Sequence, residues 1–353
     1  MLKRVISEGV EKILVVVGTG RGKSLMWLMP CLMGKGGGVT VVVVPLKSLM
    51  DGVKEDCEKM GLACLVWNDE DGDIRSRRRR MMFEVRVIVI APEGVNGVEF
   101  GEFLDDLEIR GGLDRVVIDE CHCVLSVFDG WRIGMLNLRE MVKRDVGVLF
   151  LTATLPDRSL GGWLEVVGLR RNDLVVVRDV TVRPELRYGV MEWRDKRDRD
   201  GKLEGLVKRG RERFGKGAKI LVFGGSVKAC EDLGKRFGWL VYHAEVGSDG
   251  EKKKILEEWK NGGCDVMVGT TAVGMGVNCV GCRMVIHVRM SWGFAEYAQE
   301  SGRCGRDGRV GECWVMKGCF ESLGWKKKEK VEVSEGEKFL ATHNSTNCIG
   351  YIF

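Results

Sequence analysis

The chain has 353 residues, with 56 Lys and Arg against 51 Asp and Glu, a formal net charge of +5 and 44% hydrophobic residues. That length suits two domains, and the apolar share is that of a globular protein. The mild net charge falls short of the strongly basic footprint of many nucleic-acid binders, so it permits such a partner without arguing for one.

Apolar strand-like runs alternate with helix-like stretches from the start. Strands are predicted at Ile13–Val17, Val39–Val44, Leu62–Trp67, Val85–Ile90, Arg115–Ile118 and Gly147–Leu151, with a helix from Ser24 to Met33 after the first. Several of these are continuous Val, Ile and Leu, the pattern of parallel strands covered on both faces. None is long enough to span a bilayer, so no membrane partner is expected. Ligands of parallel sheets bind beyond the carboxyl ends of the strands. The informative residues stand there: a glycine-rich turn after the first strand, Pro45 after the second, Ala91-Pro92-Glu93 after the fourth, Asp119-Glu120 after the fifth and Thr152-Ala153-Thr154 after the sixth. Arg75 to Arg80 reads either as a nucleic-acid contact or as the solvated face of a helix. Arg178 to Lys202, charged throughout, reads as a solvated loop or connector.

A second α/β set follows, with strands predicted at Lys219–Phe223, Leu240–His243, Val266–Gly269 and Met284–His287 and helices at Val227–Phe237 and Glu251–Lys260. His243 reads either as a DNA-side residue or as a structural one. The pattern fades after about Phe320 into a charged tail. The apolar close, Cys348 to Phe353, raises the expectation that more protein follows. Thirteen cysteines in no framework spacing, behind a charged Met1 to Val10 without an apolar core, point to reduced thiols in an intracellular protein. Cys279 and Cys282 make a C-x-x-C pair, but no second pair follows at a zinc-ribbon spacing, so both read as ordinary thiols.

Three clusters carry chemistry. The turn Gly18-Thr19-Gly20-Arg21-Gly22-Lys23-Ser24 lies between strand and helix. Its amides suit phosphate oxygens, Lys23 the terminal phosphates, and the Ser24 hydroxyl a Mg²⁺ ion. Val17 stands where the strict P-loop pattern has glycine, and an ordinary glycine turn is the alternative. Asp119 suits Mg²⁺, directly or through water, and Glu120 suits polarising an attacking water; a solvated strand end is the alternative. Arg303 and Arg306, with small residues between them, put two guanidinium forks on one face. Such forks fit phosphate, one of them as an arginine finger; a basic surface turn is the alternative.

Together these pieces resemble the RecQ-type helicases of superfamily 2, from about Met1 to Gly318. Gly18 to Ser24 matches motif I, and Val43 to Asp51 matches motif Ia in its Leu46 to Met50 form. Ile90-Ala91-Pro92-Glu93 matches the next, nucleic-acid-facing motif. Asp119-Glu120-Cys121-His122 is motif II in a DECH form, and Thr152-Ala153-Thr154 is motif III. Gly269 to Asn278 matches motif V, and Gln299 to Gly308 matches motif VI. Arg183-Pro184-x-Leu186 and the segment Cys123 to Arg132, similar to the family's aromatic-rich loop, point to the RecQ type in particular.

The resemblance implies two tandem RecA-like domains, each a mainly parallel sheet flanked by helices: residues 1–180, the ATP-binding domain, and 181–320, with 321–353 as the possible start of a further region. It places ATP and Mg²⁺ in the cleft between the domains. Gly18, Thr19, Gly20, Arg21, Gly22 and Lys23 would serve the phosphates, Ser24 and Asp119 the Mg²⁺, and Glu120 the water. Arg306, with Arg303 and Gln299, would come from the second domain. His122, Thr152 and Thr154 would couple hydrolysis to strand binding. Pro45, Ser48 and Thr270 would face DNA, as would Phe128, Trp131 and Arg132 of the aromatic loop; the rings stack on bases or belong to the core. The implied activity is that of an ATP-dependent 3′-to-5′ DNA helicase on single-stranded and forked DNA, in the nucleus, serving repair and recombination. The alternatives are an RNA helicase, a translocase that does not unwind, and a catalytically dead binding relic. The family's adenine-reading glutamine has no candidate in Met1 to Val17, and its zinc-binding and winged-helix parts have no counterpart, so both ends are expected to be clipped.

Overall fold

A computed structural model describes residues 11–33, 37–45, 47–67, 85–129, 137–179, 183–274, 279–289 and 294–318. The expectations for Met1 to Val10, Leu46, Arg75 to Arg80, Trp131, Arg132, Met275 to Asn278 and the tail from 319 onward lie outside the described residues. The chain divides into two units, Met1–Thr181 and Val182–Phe353.

The first unit is built on β1 (Lys12–Val16), β2 (Val39–Val43), β3 (Cys64–Val66), β4 (Val87–Ile90), β5 (Leu113–Ile118), β6 (Gly147–Thr152) and β7 (Val175–Arg178). All pair in parallel, in the order β3-β4-β2-β5-β6-β1-β7. Its helices are α1 (Leu25–Met33), α2 (Lys47–Lys59), α3 (Val98–Ile109), α4 (Leu138–Lys143) and α5 (Leu160–Val167). Successive side chains of a strand point to opposite faces, so the continuous apolar runs feed two cores. Leu14 and Val16 join Phe100, Phe103 and Trp163 of α3 and α5 on one face. Ile13, Val15 and Val17 join Trp27 of α1 and Met50 and Cys57 of α2 on the other. Each such side chain contributes about 1.5–3 kcal/mol when fully buried.

The second unit holds β8 (Leu186–Trp193), β9 (Lys219–Phe223), β10 (Leu240–Tyr242), β11 (Val266–Gly269), β12 (Cys282–His287) and β13 (Gly311–Gly318), parallel in the order β10-β11-β9-β12-β13-β8. Its helices are α6 (Lys196–Phe214), α7 (Val227–Phe237), α8 (Asp249–Asn261), the single turn α9 (Thr271–Gly274) and α10 (Phe294–Ser301). Leu203, Leu206 and Val207 of α6 cover one face, and Trp259 of α8 lies in the core on the other.

Arg178 to Lys202 is not a solvated connector. It contains the end of β7, all of β8 and the start of α6. β8 is an edge strand, so polar residues on its open positions cost little. Asp195 caps α6 by accepting from the amides of Arg197 (2.8 Å) and Asp198 (2.9 Å), and Leu203, Leu206, Val207 and Gly210 form its buried stripe. β13 carries a charge into the sheet: Glu312 is buried but accepts from Arg213 Nη1 (2.6 Å) and Trp314 Nε1 (2.9 Å).

Candidate active site

In the first unit the glycine turn follows β1 and leads into α1. Gly20 and Gly22 adopt φ of 79° and 77°, conformations a Cβ disfavours. Among the described residues, the amides of Gly20, Gly22, Lys23 and Ser24 donate to no backbone acceptor. They sit at a helix start with the side chains of Lys23 and Ser24 beside them. Such a donor set fits the phosphates of a nucleotide.

Asp119 and Glu120 follow β5, two strands from β1 in the sheet. The Asp119 carboxylate accepts from the Glu120 amide at 2.9 Å. Burial, with the adjoining Glu120 charge, raises the Asp119 carboxyl from 3.8 to about 6, against the opposing pull of the Lys23 ammonium. A carboxylate at a strand end, within electrostatic reach of Lys23 and in the same unit as the Ser24 hydroxyl, supplies the oxygen chemistry that a hard divalent ion takes. The sign of the shift yields a prediction. The ionised form is disfavoured in the fold, so the stability this one carboxyl contributes to the ligand-free chain is fully present below about pH 4 and is lost as pH rises from there to about 6. Asp119→Asn removes that cost, roughly 2–3 kcal/mol. Melts of the ligand-free variant at pH 7.5 should lie above those of the parent, with the gap closing toward pH 4.

Glu120 has φ 48°, the one non-glycine residue at positive φ among those described. That conformation costs on the order of 1 kcal/mol and marks an aimed side chain. The turn is held from behind by Trp163, whose indole donates to the Cys121 carbonyl at 3.0 Å while packing edge-on against Phe150. His122 joins this turn to the end of β6: its Nδ1 lies 2.9 Å from Thr152 Oγ1 and 3.3 Å from Glu120 Oε2. Burial opposes charge on this imidazole, yet the neighbouring Cys123 sulfur and Glu120 carboxylate outweigh it and lift the group to about 10. Thr152 Oγ1 also accepts from the Thr154 amide at 3.1 Å. The three residues expected to couple the two motifs are therefore one hydrogen-bonded chain. The Thr154 hydroxyl is buried with no partner among the described residues.

Pro45 is buried after β2, Ser48 lies on the first turn of α2, and Phe128 lies in the 3₁₀ segment Cys121–Asp129.

In the second unit the Thr270 hydroxyl accepts from the Ala272 amide at 3.3 Å, closing α9. Gln299 lies on α10, and Arg303 and Arg306 on the turn after it. Two buried groups to which sequence reasoning gave no role in the site hold this region. His287, at the end of β12, pairs through Nε2 with Glu300 Oε2 at 3.0 Å, stacked on Phe223 and against Tyr297. Arg183 reaches across to the turn itself, its Nη1 donating to the Gly302 carbonyl (2.9 Å) and its Nη2 to the Gly305 carbonyl (2.5 Å). The Gly305 amide donates to Cys282 O of β12 at 2.9 Å. Asp307 is bound by both terminal nitrogens of Arg283, which hold its carboxyl down at about 2. His243 is buried 3.6 Å from Glu231, and Cys279 and Cys282 are both buried.

Gly305 is fixed by two constraints. Its φ is +60°, and a Cβ there would stand 2.7 Å from the Arg309 carbonyl. Gly308, at φ +77°, has open space. Gly305→Ala should cost about 2–4 kcal/mol in denaturant unfolding, and Gly308→Ala only about 1. Equal losses would contradict this account of the turn.

A family profile described as "DEAD/DEAH box helicase" matches residues 2–161, and one described as "Helicase conserved C-terminal domain" matches residues 202–308. The ATP-dependent DNA helicase hus2/rqh1 of Schizosaccharomyces pombe is 28% identical over 318 residues, covering 86% of this chain and 23% of that protein. The ATP-dependent DNA helicase RecQ of Bacillus subtilis is 26% identical over 367 residues, covering 98% and 59%. The chain thus matches both conserved helicase domain profiles and is similar to RecQ-type helicases over most of its length. It spans less than two thirds of the length of either relative. Two solved helicases share the fold of this one. Mycobacterium smegmatis Lhr, bound to ssDNA and AMP-PNP, has a TM-score of 0.67 at 18% identity, over 97% of this chain and 47% of that one. S. cerevisiae Dbp5, bound to RNA and ADP BeF3, has a TM-score of 0.67 at 14% identity, over 98% and 93%. The RecA-like, parallel α/β class expected from the sequence is thus the observed one.

Proposed function

We propose that this helicase core hydrolyses ATP to move 3′-to-5′ along single-stranded DNA and open forked duplexes. The observation that carries the reading is the first unit's cluster: a turn whose Gly20, Gly22, Lys23 and Ser24 amides donate to no backbone acceptor among the described residues, and an Asp119-Glu120 turn wired through His122 to Thr152 and Thr154. The amides and Lys23 bind the phosphates. Ser24 and Asp119 would hold Mg²⁺, which when bound neutralises charge on the phosphate oxygens. Glu120 takes the proton of the attacking water. Arg306, with Arg303 and Gln299, serves the charge developing on the transferred phosphoryl group. The His122–Thr152 chain relays the state of the nucleotide to the strand-binding residues, among which we place Pro45, Ser48, Phe128, Trp131, Arg132 and Thr270. DNA rather than RNA is favoured by the relatives at 26–28% identity, both named as DNA helicases. A nuclear role in repair or recombination belongs to the same proposal, as an implication of the resemblance to RecQ-type helicases. Among the described residues no helix is long and apolar enough to cross a membrane.

Strand displacement on matched DNA and RNA forks tests this. A DNA fork with a 3′ single-stranded tail should open with ATP, and a 5′-tailed fork should not. Opening of RNA alone would overturn the substrate assignment.

A further inference from the structure

Arg183 lies at the entry to the second unit, 119 residues before Gly302 in the chain. It is 7% exposed, and each of its three guanidinium nitrogens donates a hydrogen bond. Nε donates to Glu185 Oε1 at 2.7 Å, while Nη1 and Nη2 grip the carbonyls of Gly302 and Gly305. Those carbonyls flank the segment that carries Arg303 and end one residue before Arg306. A rigid fork fixes both ends of a turn in a way that a lysine point charge cannot. The Gly302 carbonyl is shared: Arg306 Nε also approaches it, at 3.5 Å. One oxygen thus links the buried arginine to the one proposed to act on phosphate. Gly305 leaves no slack, since a Cβ there would lie 3.5 Å from Arg183 Nη2 and closer still to Leu186 and the Arg309 carbonyl.

We infer that Arg183 is a positioning residue for phosphoryl transfer, setting the aim of Arg306 by clamping the Gly302 and Gly305 carbonyls. This rests on the reading of Arg306 given above. Arg183 itself touches no phosphate. Its removal frees Gly302 O, loosens the turn and lets the Arg306 guanidinium wander by an ångström or so, a displacement that costs about a hundredfold in rate.

The test is a double-mutant cycle in the full chain, measured as phosphate release at saturating single-stranded DNA, with ATP KM and melting temperature recorded for each variant. Arg183→Ala should lower kcat about a hundredfold with KM changed less than about threefold, and Arg183/Arg306 doubly changed to Ala should be no slower than Arg306→Ala alone. A residue that merely stabilises the fold would give losses that multiply, and multiplying losses overturn the inference. So does Arg183→Ala at the parent rate beside a slow Arg306→Ala. Arg306→Ala at the parent rate removes the underlying reading of Arg306 and this inference together. Should Arg183→Ala melt without cooperativity, Arg183→Lys gives the same cycle. It keeps a buried cation but cannot span both carbonyls, and it must show the same loss, whereas full rescue by Lys contradicts the clamp.

Discussion

Lys23→Ala is expected to lower DNA-stimulated phosphate release by about a thousandfold or more, with the chain still folded. Lys23 is the cation of a turn whose Gly20, Gly22, Lys23 and Ser24 amides donate to no backbone acceptor among the described residues, and the Asp119 carboxyl feels its charge. The transferred phosphoryl group carries its charge on equatorial oxygens, so removing a fixed cation there is felt more in the transition state than in the bound ground state. The same substitution withdraws the one charge that lowers the Asp119 value from the phosphate side, so the variant should also hold divalent cation less well. Nucleotide affinity should fall alongside kcat. Lys23 is only partly buried and sits at the start of α1 outside both cores, so the melting temperature should move little. Phosphate release and melts of the same preparation check the two halves of this expectation.

Glu120→Gln should separate binding from hydrolysis. Glutamine keeps the shape and a hydrogen-bonding oxygen for His122, 3.3 Å away, but it cannot take a proton. Turnover should drop about a hundred- to ten-thousandfold while ATP still binds. The strained φ of 48° is unchanged by Gln, so stability should stay close to the parent's. Glu120→Gly relieves that strain, so it should lose turnover as fully and yet gain on the order of 1 kcal/mol of stability. Loss of stability in the Gly variant would contradict the view that the backbone at Glu120 is held against its preference to aim the carboxylate. The His122 imidazole, lifted to about 10 in part by Glu120, should fall toward its ordinary range in both variants, which imidazole resonances can follow.

The parallel architecture was legible because β1, β2, β4, β6, β9 and β11 are nearly continuous Val, Ile, Leu and Phe, a composition that only a doubly covered sheet sustains. Predicted and observed ends agree to within about two residues for most of these. β7, β8 and β13 escaped for separate reasons. β7 and β8 close the sheets' edges, where half-buried positions tolerate Arg and Glu and the apolar signal thins. β13 is interior, but Glu312 breaks its apolar run, and its neutralising partners Arg209 and Arg213 lie about a hundred residues earlier, on α6. Periodicity sees only local neighbours. The buried stripe of α6 was present at helical spacing, yet the surrounding charge masked it.

The site divides along the same line. Glycine turn, Asp119-Glu120 and Thr152-Thr154 could be found because each chemical group is written in contiguous residues at a strand end. Arg183 could be seen only as a marker beside Pro184, since its two acceptors are backbone carbonyls far away in the chain. The pairing of His287 with Glu300 and the positive φ of Glu120 leave no sequence signature of their own.

The central claim is that the cluster of Lys23, Asp119 and Glu120 is an ATPase switched on by a DNA strand. Phosphate release by the full chain with Mg²⁺ and ATP, with and without single-stranded DNA, tests it most directly. The account predicts slow release alone, a rise of tenfold or more (an order-of-magnitude expectation for a nucleotide switch of this type) when the strand is added, and no rise in Lys23→Ala. Release that is unchanged by DNA, or equal in parent and Lys23→Ala, would contradict it.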